Sequence, residues 1–260
     1  MKIQTDTPKY KFINRDTCKY LAIFFMFWGH LFAWINLARN PMYDQTALPF
    51  WQQLLIDLSL FCPPVMFFMI ADGFRYTRSR LKYALRLLVL ALIIIPCDRL
   101  LFGVIEANII VTLLCSLLCL MVWESGWKLP LRILAVLGIC VCNYFTFAPW
   151  YAFAELIVLF LHVFREKPKA RAIAYFTVLA VYSALPLLLT PHAIKAHPAL
   201  SVGNILIQYA VMGLAYFCMT VFYNGKKGKH PTFAKWFFYA FYPAHILIIW
   251  ALVKMPEWIS

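Results

Sequence analysis

Nine apolar runs, separated by short basic segments, constrain this chain more than any other feature of its sequence. They cover residues 17–37, 50–74, 81–102, 108–123, 131–147, 149–164, 171–190, 201–223 and 237–254. About 20 apolar residues cross a bilayer as a helix, and helices and closed barrels are the only structures that pair every backbone group within lipid. The runs therefore predict an all-α, multi-pass membrane helix bundle, formed as one integral-membrane domain over residues 1–260.

The composition excludes an ordinary soluble protein. Hydrophobic residues make up 63% of the chain and charged residues only 13%, whereas soluble domains are about 45–50% apolar and about 25% charged. The formal net charge of +13 would suggest a nucleic-acid partner in a soluble protein. Here the basic residues lie in the short segments between apolar runs, so they indicate membrane topology and no nucleic-acid partner.

The distribution of lysine and arginine predicts the orientation in the membrane. These residues fall in the N-terminal segment and in alternate segments after it, with the exception of Arg39, Arg99, Lys195 and Lys254. Basic segments stay on the cytoplasmic side. We therefore expect a cell (inner or cytoplasmic) membrane protein with its N-terminus in the cytoplasm and, after nine spans, its C-terminus outside. The fifth and sixth runs are joined only by residues 147–150, so a re-entrant hairpin is the alternative to two full spans.

After Lys19 the first run is apolar from Tyr20 to Gly29, and His30 then interrupts it. An ionisable side chain inside a membrane span is energetically costly and is a functional-site hypothesis by default. The residue has two readings. It is either a catalytic or proton-handling histidine within the membrane, or a neutral histidine that is hydrogen-bonded to a neighbouring helix.

Two further polar residues, Asp57 and His245, lie inside the second and ninth runs. A carboxylate beside a histidine fixes its tautomer and raises its basicity, as a general base requires. The predicted topology puts His30 and Asp57 in the same outer half of the membrane, so Asp57 is a candidate partner for His30. Other polar residues within or beside the runs are Asp72, Asp98, Asn108, Glu155 and His162, the last interpreted as an interfacial residue.

The segment ADGFRYTRSRLKYALR carries more positive charge than topology alone requires. Asp72 is followed by Arg75, Arg78, Arg80, Lys82 and Arg86. Arginine forks bind phosphates well, so the cluster is a candidate site for the nucleotide end of an acyl carrier such as coenzyme A. The alternative is a positive-inside anchor that contacts anionic lipid headgroups. The eight cysteines show no metal-ligand spacing and are interpreted as packing residues, so no metal is expected.

With these residues in view, the chain resembles the TraX family of conjugal-transfer and fimbrial-assembly membrane proteins of bacteria. The resemblance lies in four stretches taken in order: NRDTCKYLAIFFMFWGH, FFMIADGFRYTRSRLKYALRLLVLALIIIPCD, NIIVTLLCSLL and FFYAFYPAHILIIWAL. Each motif is short and degenerate, and their order and spacing carry the resemblance. It extends over most of the chain and is best at both ends.

The resemblance implies acetylation of a pilin N-terminus with acetyl-coenzyme A as the acyl donor. The residues that match the family motifs are Arg15, Asp16, Lys19, His30, Asp72, Gly73, Arg75, Asp98, Asn108, Thr112, Tyr242, Pro243 and His245. One position departs from the pattern, because the Asp-His of the family is Gly29-His30 here. If that aspartate orients the histidine, another carboxylate must do so in this chain, and Asp57 is the candidate.

These observations together predict a membrane-bound acyltransferase. It would move an acetyl group from cytoplasmic acetyl-coenzyme A to a pilin N-terminus, another exported protein or a surface glycan. His30 would be the general base, and His245 would stabilise the oxyanion or relay the proton. The phosphates would be held by Arg75, Arg78 and Arg86. The alternatives are a proton-coupled transporter or flippase that uses His30, Asp57 and His245 as a relay, and a pilus assembly factor without chemistry of its own.

Overall fold

The computed structural model of the chain describes residues 9–39, 48–103, 106–189 and 198–259. Within these ranges the fold is helical and contains no strand; one isolated bridge joins Ile13 to Tyr223. The helices, numbered in chain order, are α1 (Arg15–Arg39), α2 (Phe50–Ser59), α3 (Cys62–Tyr76), α4 (Arg80–Phe102), α5 (Ile109–Trp123), α6 (Leu129–Phe145), α7 (Tyr151–Val163), α8 (Pro168–Leu189), α9 (Pro198–Phe217) and α10 (Pro231–Ile259). A π-helix, Cys218–Phe222, extends α9.

The predicted fold class is confirmed: the chain is an all-α membrane helix bundle. In the described part, four stretches are long and apolar enough to cross a membrane, namely Arg15–Ala38, Phe50–Tyr76, Val202–Phe222 and Pro231–Met255. The helices α5, α6 and α7 are apolar but shorter. With 13 residues, α7 is about 20 Å long, less than the ~30 Å hydrocarbon core of a bilayer. The choice between two spans and a re-entrant hairpin for α6 and α7 therefore stays open.

The second apolar run, predicted as one helix over 50–74, is two helices. The chain breaks between α2 and α3, where the amides of Leu60 and Phe61 bond to the carbonyls three residues earlier, at 3.1 Å each. Pro63 and Pro64 follow in the first turn of α3. Proline has no amide hydrogen and fits best in the first turn of a helix, so two successive prolines favour a new helix start at α3 over a continuation of α2. The break comes directly after the turn that carries Asp57.

The contacts divide the chain into two compact units. Unit 1 comprises Met1–Val65 and His192–Ser260, and unit 2 comprises Met66–Pro191. Unit 1 holds α1, α2, α9 and α10, and α1 packs against both α2 and α10. Unit 2 holds α4 to α8, with α5 packed between α4, α6 and α7. The single domain over residues 1–260 stays a prediction.

In unit 1, segments that the topology prediction assigns to one membrane face lie together. The amide of Ile13 donates to the Phe222 carbonyl at 3.0 Å, and the amide of Arg15 donates to the Lys226 carbonyl at 2.9 Å. The N-terminal segment is therefore tied to the loop between α9 and α10. At the other end of α1, Asn36 donates to Gln52 at 3.0 Å.

In unit 2, too, segments that the topology prediction assigns to one membrane face lie together. The end of α5 meets the end of α7 through a hydrogen bond between Glu124 and His162, 2.8 Å long. The start of α5 meets the turn between α6 and α7, where the Thr112 hydroxyl donates to the Pro149 carbonyl at 2.8 Å. The helices of this unit therefore alternate in direction, as the distribution of basic residues predicts.

The turn between α6 and α7 has an unusual backbone. Phe147, Trp150 and Tyr151 have φ angles of 54°, 72° and 40°, in the left-handed region that side-chain-bearing residues rarely adopt. Trp150 is only 4% exposed and stacks on Tyr182 with ring centroids 4.1 Å apart. Burial of this indole offsets the backbone strain, so the turn holds α6 against α7 without a glycine.

Candidate functional site

Histidines from the first and last helices of the bundle meet in unit 1. The ring centroids of His30 on α1 and His245 on α10 are 5.9 Å apart. His245 is 1% exposed, whereas His30 is exposed. The two motifs that carry these residues stand at opposite ends of the sequence, and the packing of α1 against α10 brings them together.

The surroundings of His245 fix its orientation and tautomer. Its ring stacks on Phe241, with centroids 5.4 Å apart and planes within 6°, and Tyr242 meets it edge-on at 5.0 Å. The His245 Nδ1 atom lies 3.3 Å from the Phe241 carbonyl oxygen. A carbonyl oxygen can only accept, so Nδ1 carries the proton and Nε2 of the neutral ring has the free lone pair.

At Gly29, α1 packs tightly against α2. A Cβ atom at this position would overlap the Cβ of Ser59 and lie 2.9 Å from the Leu55 carbonyl oxygen. Backbone cannot move aside as a flexible side chain does, so even alanine does not fit without a shift. An aspartate at position 29, as in the family pattern, has no room in this packing. Glycine at this position is therefore what the close packing of the two helices requires.

Asp57 forms a buried polar cluster with two glutamines. It is 1% exposed, and its Oδ1 atom accepts hydrogen bonds from Gln53 Nε2 at 3.1 Å and from Gln208 Nε2 at 2.9 Å. Among the described residues no hydrogen bond joins Asp57 to His30. Its Oδ2 atom and the Oε1 atom of Gln53 are buried without a partner in this part of the chain.

The polar residues at the start of α1 anchor the helix. Asn14 caps it, since its Oδ1 atom accepts from the amides of Asp16 and Thr17 at 3.0 Å each. Asp16 is 4% exposed, pairs with Arg15 at 3.2 Å and accepts from the Gly228 amide at 2.9 Å. The Arg-Asp motif therefore ties the first helix to the loop before the last one.

Three other residues that match family motifs lie along or at the ends of helices. Lys19 places its ammonium group 5.1 Å from the centre of the Phe238 ring, within reach of a cation–π contact. Asn108 caps α5, because its Oδ1 atom accepts from the Ile110 amide at 3.0 Å. Asp98 lies on α4 and is half-buried.

Unit 2 contains a cavity of about 310 Å³ at the ends of α3 and α7. Its walls are Phe68, Ala71, Asp72, Arg75, Leu161, His162, Arg165, Glu166 and Arg171. Of the three arginines predicted to hold phosphates, Arg75 lines this cavity, whereas Arg78 and Arg86 are outside its walls. Arg86 lies over the Tyr83 ring at 5.7 Å, and Arg78 is exposed.

Sequence reasoning missed several residues around this cavity. In the sequence, Arg165 and Arg171 are explained by the positive-inside rule alone, and no pattern singles out Glu124. His162 is 7% exposed, binds Glu124 and meets the Phe74 ring edge-on at 5.5 Å. Its partner is 38 residues away along the chain, so no local pattern predicts the pair. The hydrogen bond from His162 lowers the pKa of the Glu124 carboxyl, and the charges of Arg80 and Arg165 lower it further.

The chain was compared with known proteins. It is 28% identical over 198 residues to a "Probable fimbrial assembly protein FimC, serogroup H1" of Dichelobacter nodosus, a match that covers 72% of this chain and 77% of that protein. No solved structure matches the chain. The family model described as "TraX protein" matches residues 14–253. This range includes α1, all the residues that line the cavity and most of α10. The chain therefore belongs to the TraX family.

Proposed function

We propose that this protein is a multi-pass inner-membrane acetyltransferase that acts in pilus or conjugation biology. It moves an acetyl group from cytoplasmic acetyl-coenzyme A to an exported acceptor: a pilin N-terminus, another surface protein or a glycan. Membership of the TraX family and the name of the FimC relative support the biological setting. The single observation that carries the chemistry is the meeting of His30 and His245, two ionisable side chains within apolar helices.

The proposed reaction needs one base and one route for a proton. The acceptor amine or hydroxyl attacks the thioester carbonyl carbon, so that a bond from nitrogen or oxygen to carbon forms and the carbon–sulfur bond then breaks. His30 takes the proton that the acceptor loses, and the departing thiolate of coenzyme A takes up a proton in turn. In the proposal His30 takes this proton first, and the buried His245 beside it passes the proton on.

The tautomer of His245 favours a relay over oxyanion stabilisation. With the Nδ1 proton directed at the Phe241 carbonyl, the neutral ring has no N–H left to donate to an oxyanion. Its Nε2 atom can accept a proton instead. We therefore assign His245 to proton transfer with His30. Asp57, whose bonds go to Gln53 and Gln208, would support the pair through packing of α2 against α1.

The basic segment after α3 would hold the phosphates of acetyl-coenzyme A, with Arg75 in the cavity wall and Arg78 and Arg86 along the segment outside it. A cavity of about 310 Å³ lies at the lower end of the ~300–1,000 Å³ range of ligand pockets. That size suits a phosphate-bearing part of the coenzyme rather than the whole molecule. The arginine guanidinium matches phosphate geometry through paired N–H donors.

A proton-coupled transporter or flippase is the second candidate, and one observation favours it. Asp57 Oδ2 and Glu155 Oε2 are buried carboxyl oxygens without a hydrogen-bond partner in the described ranges. Buried carboxyl groups of this kind serve as proton relays in transporters. A transporter would move its substrate in response to a proton gradient and would bind no acetyl-coenzyme A.

Acetyl incorporation tests the proposal. Membranes are prepared from the native host, which supplies the acceptors, with the wild type, His30→Ala or His230→Ala as the protein present. Each preparation is incubated with labelled acetyl-coenzyme A. His230 is an exposed histidine in the loop before α10 and is the matched control. We expect His30→Ala to lose activity by a factor of about 10²–10⁴ and His230→Ala to keep it. A wild type that transfers no acetyl group to any acceptor would overturn the acetyltransferase assignment.

A further inference from the structure

Three arginines from three separate segments line the cavity of unit 2. Arg75 comes from the last turn of α3, Arg165 from the turn after α7, and Arg171 from the first turns of α8. Two carboxylates, Asp72 and Glu166, also line it, so the charged groups on its walls leave a net positive charge. A wall of this composition favours an anion, and guanidinium forks favour phosphate.

The segment that carries Arg165 and Arg171 is held in a tight turn. The amide of Lys167 donates to the Phe164 carbonyl, and the amide of Arg171 donates to the Lys167 carbonyl, both at 2.9 Å. The Arg171 side chain donates to the carbonyl of Arg165 at 3.2 Å. These bonds hold the Arg171 side chain against the backbone of Arg165 before any ligand arrives, which lowers the entropy cost of ordering Arg171 on binding.

The end of α7 that precedes this turn is also fixed. His162 is bound to Glu124 at 2.8 Å, which joins α7 to the end of α5. Arg165 pairs with Glu166 at 3.2 Å, but the two side chains are 40% and 77% exposed. An ion pair this exposed is weak, so a phosphate can replace Glu166 as the partner of Arg165 at little cost.

We propose that Arg75, Arg165 and Arg171 form a binding site for a phosphate group, and that in the proposed reaction this group belongs to coenzyme A. The inference rests on the proposed function for the identity of the ligand. It adds Arg165 and Arg171 to the phosphate-binding residues. The same phosphate chemistry is present in an anionic lipid headgroup, so the experiment separates the two sources.

Binding is measured with purified protein in nanodiscs of zwitterionic lipid, by titration with adenosine 3′,5′-bisphosphate, the phosphate-rich end of coenzyme A. Arg165→Gln/Arg171→Gln is compared with Lys167→Gln/Lys169→Gln. The control removes the same charge from the same turn, and Lys167 and Lys169 are exposed and do not line the cavity. We expect the dissociation constant to rise by about tenfold or more in the arginine variant and to stay unchanged in the lysine variant. Equal dissociation constants for the two variants overturn the inference.

The second arm replaces the bisphosphate with lipid. Thermal unfolding is measured in nanodiscs with and without phosphatidylglycerol. One outcome is that the wild type binds no bisphosphate, whereas anionic lipid raises its transition temperature. If only Arg165→Gln/Arg171→Gln loses this rise in transition temperature, the phosphate site holds and its ligand is a lipid headgroup. If both variants lose the gain equally and neither ligand distinguishes them, the site is wrong. Arg165→Lys/Arg171→Lys, which keeps the charge, guards against a folding defect and should bind between wild type and the glutamine variant.

Failure of the inference is distinguishable from failure of the proposed function. A wild type that binds the bisphosphate but transfers no acetyl group overturns the acetyltransferase and leaves the site. If the wild type transfers acetyl groups and Arg165→Gln/Arg171→Gln has the same KM for acetyl-coenzyme A as the wild type, the phosphate site is overturned. The acetyltransferase assignment then stands.

Discussion

Adjacent residues of α1, Gly29 and His30, have separate roles. Gly29 lets α1 approach α2, whereas His30 meets His245 of α10. Both histidines could be singled out from sequence, because an ionisable residue inside an apolar run is rare enough to be noticed. The reason for glycine at position 29 could not, since it depends on Ser59 and Leu55, whose positions follow only from the helix packing.

Replacing Gly29 should therefore destabilise the protein. We expect Gly29→Ala to cost about 1–3 kcal/mol of unfolding free energy, because the new methyl group overlaps Ser59 and the α2 backbone. Gly138→Ala is the matched control, since a Cβ at this helical position meets nothing within 4 Å, and it should be neutral or stabilising by up to about 1 kcal/mol. Thermal unfolding in detergent measures both; equal transition temperatures would contradict the close approach.

The Glu124–His162 pair predicts a pH dependence of stability. The pKa of Glu124 is lowered in the folded protein by the hydrogen bond from His162. The stabilisation of the fold by Glu124 is therefore complete above 4.5, the ordinary pKa of a glutamate. It is lost as the pH falls through the lowered pKa that Glu124 has in the folded protein. Glu124→Gln should unfold at a lower temperature than wild type at neutral pH, and the difference should shrink below 4.5. An unchanged difference at acid pH would argue that the charge on Glu124 does not stabilise the fold.

The helices themselves follow from the apolar runs and their lengths, but two local features do not. The break between α2 and α3 is marked in the sequence by Pro63 and Pro64. The prediction of a single helix over 50–74 does not take these two prolines into account. The strained turn before α7 has no glycine to mark it. Its backbone is set by the stacking of Trp150 on Tyr182, a contact between distant residues.

A buried hydrogen bond joins α6 to α7. Asn143 is fully buried and donates to Glu155 Oε1 at 2.8 Å. Asn143→Leu should cost about 1–3 kcal/mol of unfolding free energy, because it leaves the Glu155 carboxyl buried without that donor. The double variant Asn143→Leu/Glu155→Met should recover much of the loss, since it removes both polar partners. Additive losses in the double variant, measured by thermal unfolding, would show that the bond is unimportant.

Within each unit, the pairing of loops agrees with the predicted membrane topology. Loops that share a predicted membrane face are paired within each unit, as in the contacts of Ile13 with Phe222 and of Glu124 with His162. The convergence of Arg75, Arg165 and Arg171 on one cavity was beyond sequence reasoning, because each basic loop alone is explained by the positive-inside rule.

Fusions test the orientation directly. We expect alkaline phosphatase fused after Ser260 to be active and green fluorescent protein at the same point to be dark, because nine spans bring the C-terminus outside. Fusions after Lys227, in the loop between α9 and α10, should behave in the opposite way. The same activity pattern at both points would mean that α10 does not cross the membrane.

The measurement that tests the central claim most directly is a double-mutant cycle of His30→Gln and His245→Gln in the acetyl-transfer assay. If the two histidines pass one proton between them, each single variant loses activity by a factor of about 10²–10⁴, and the double variant loses no more than either single one. Losses that multiply, or a His245→Gln variant as active as the wild type, would contradict the account.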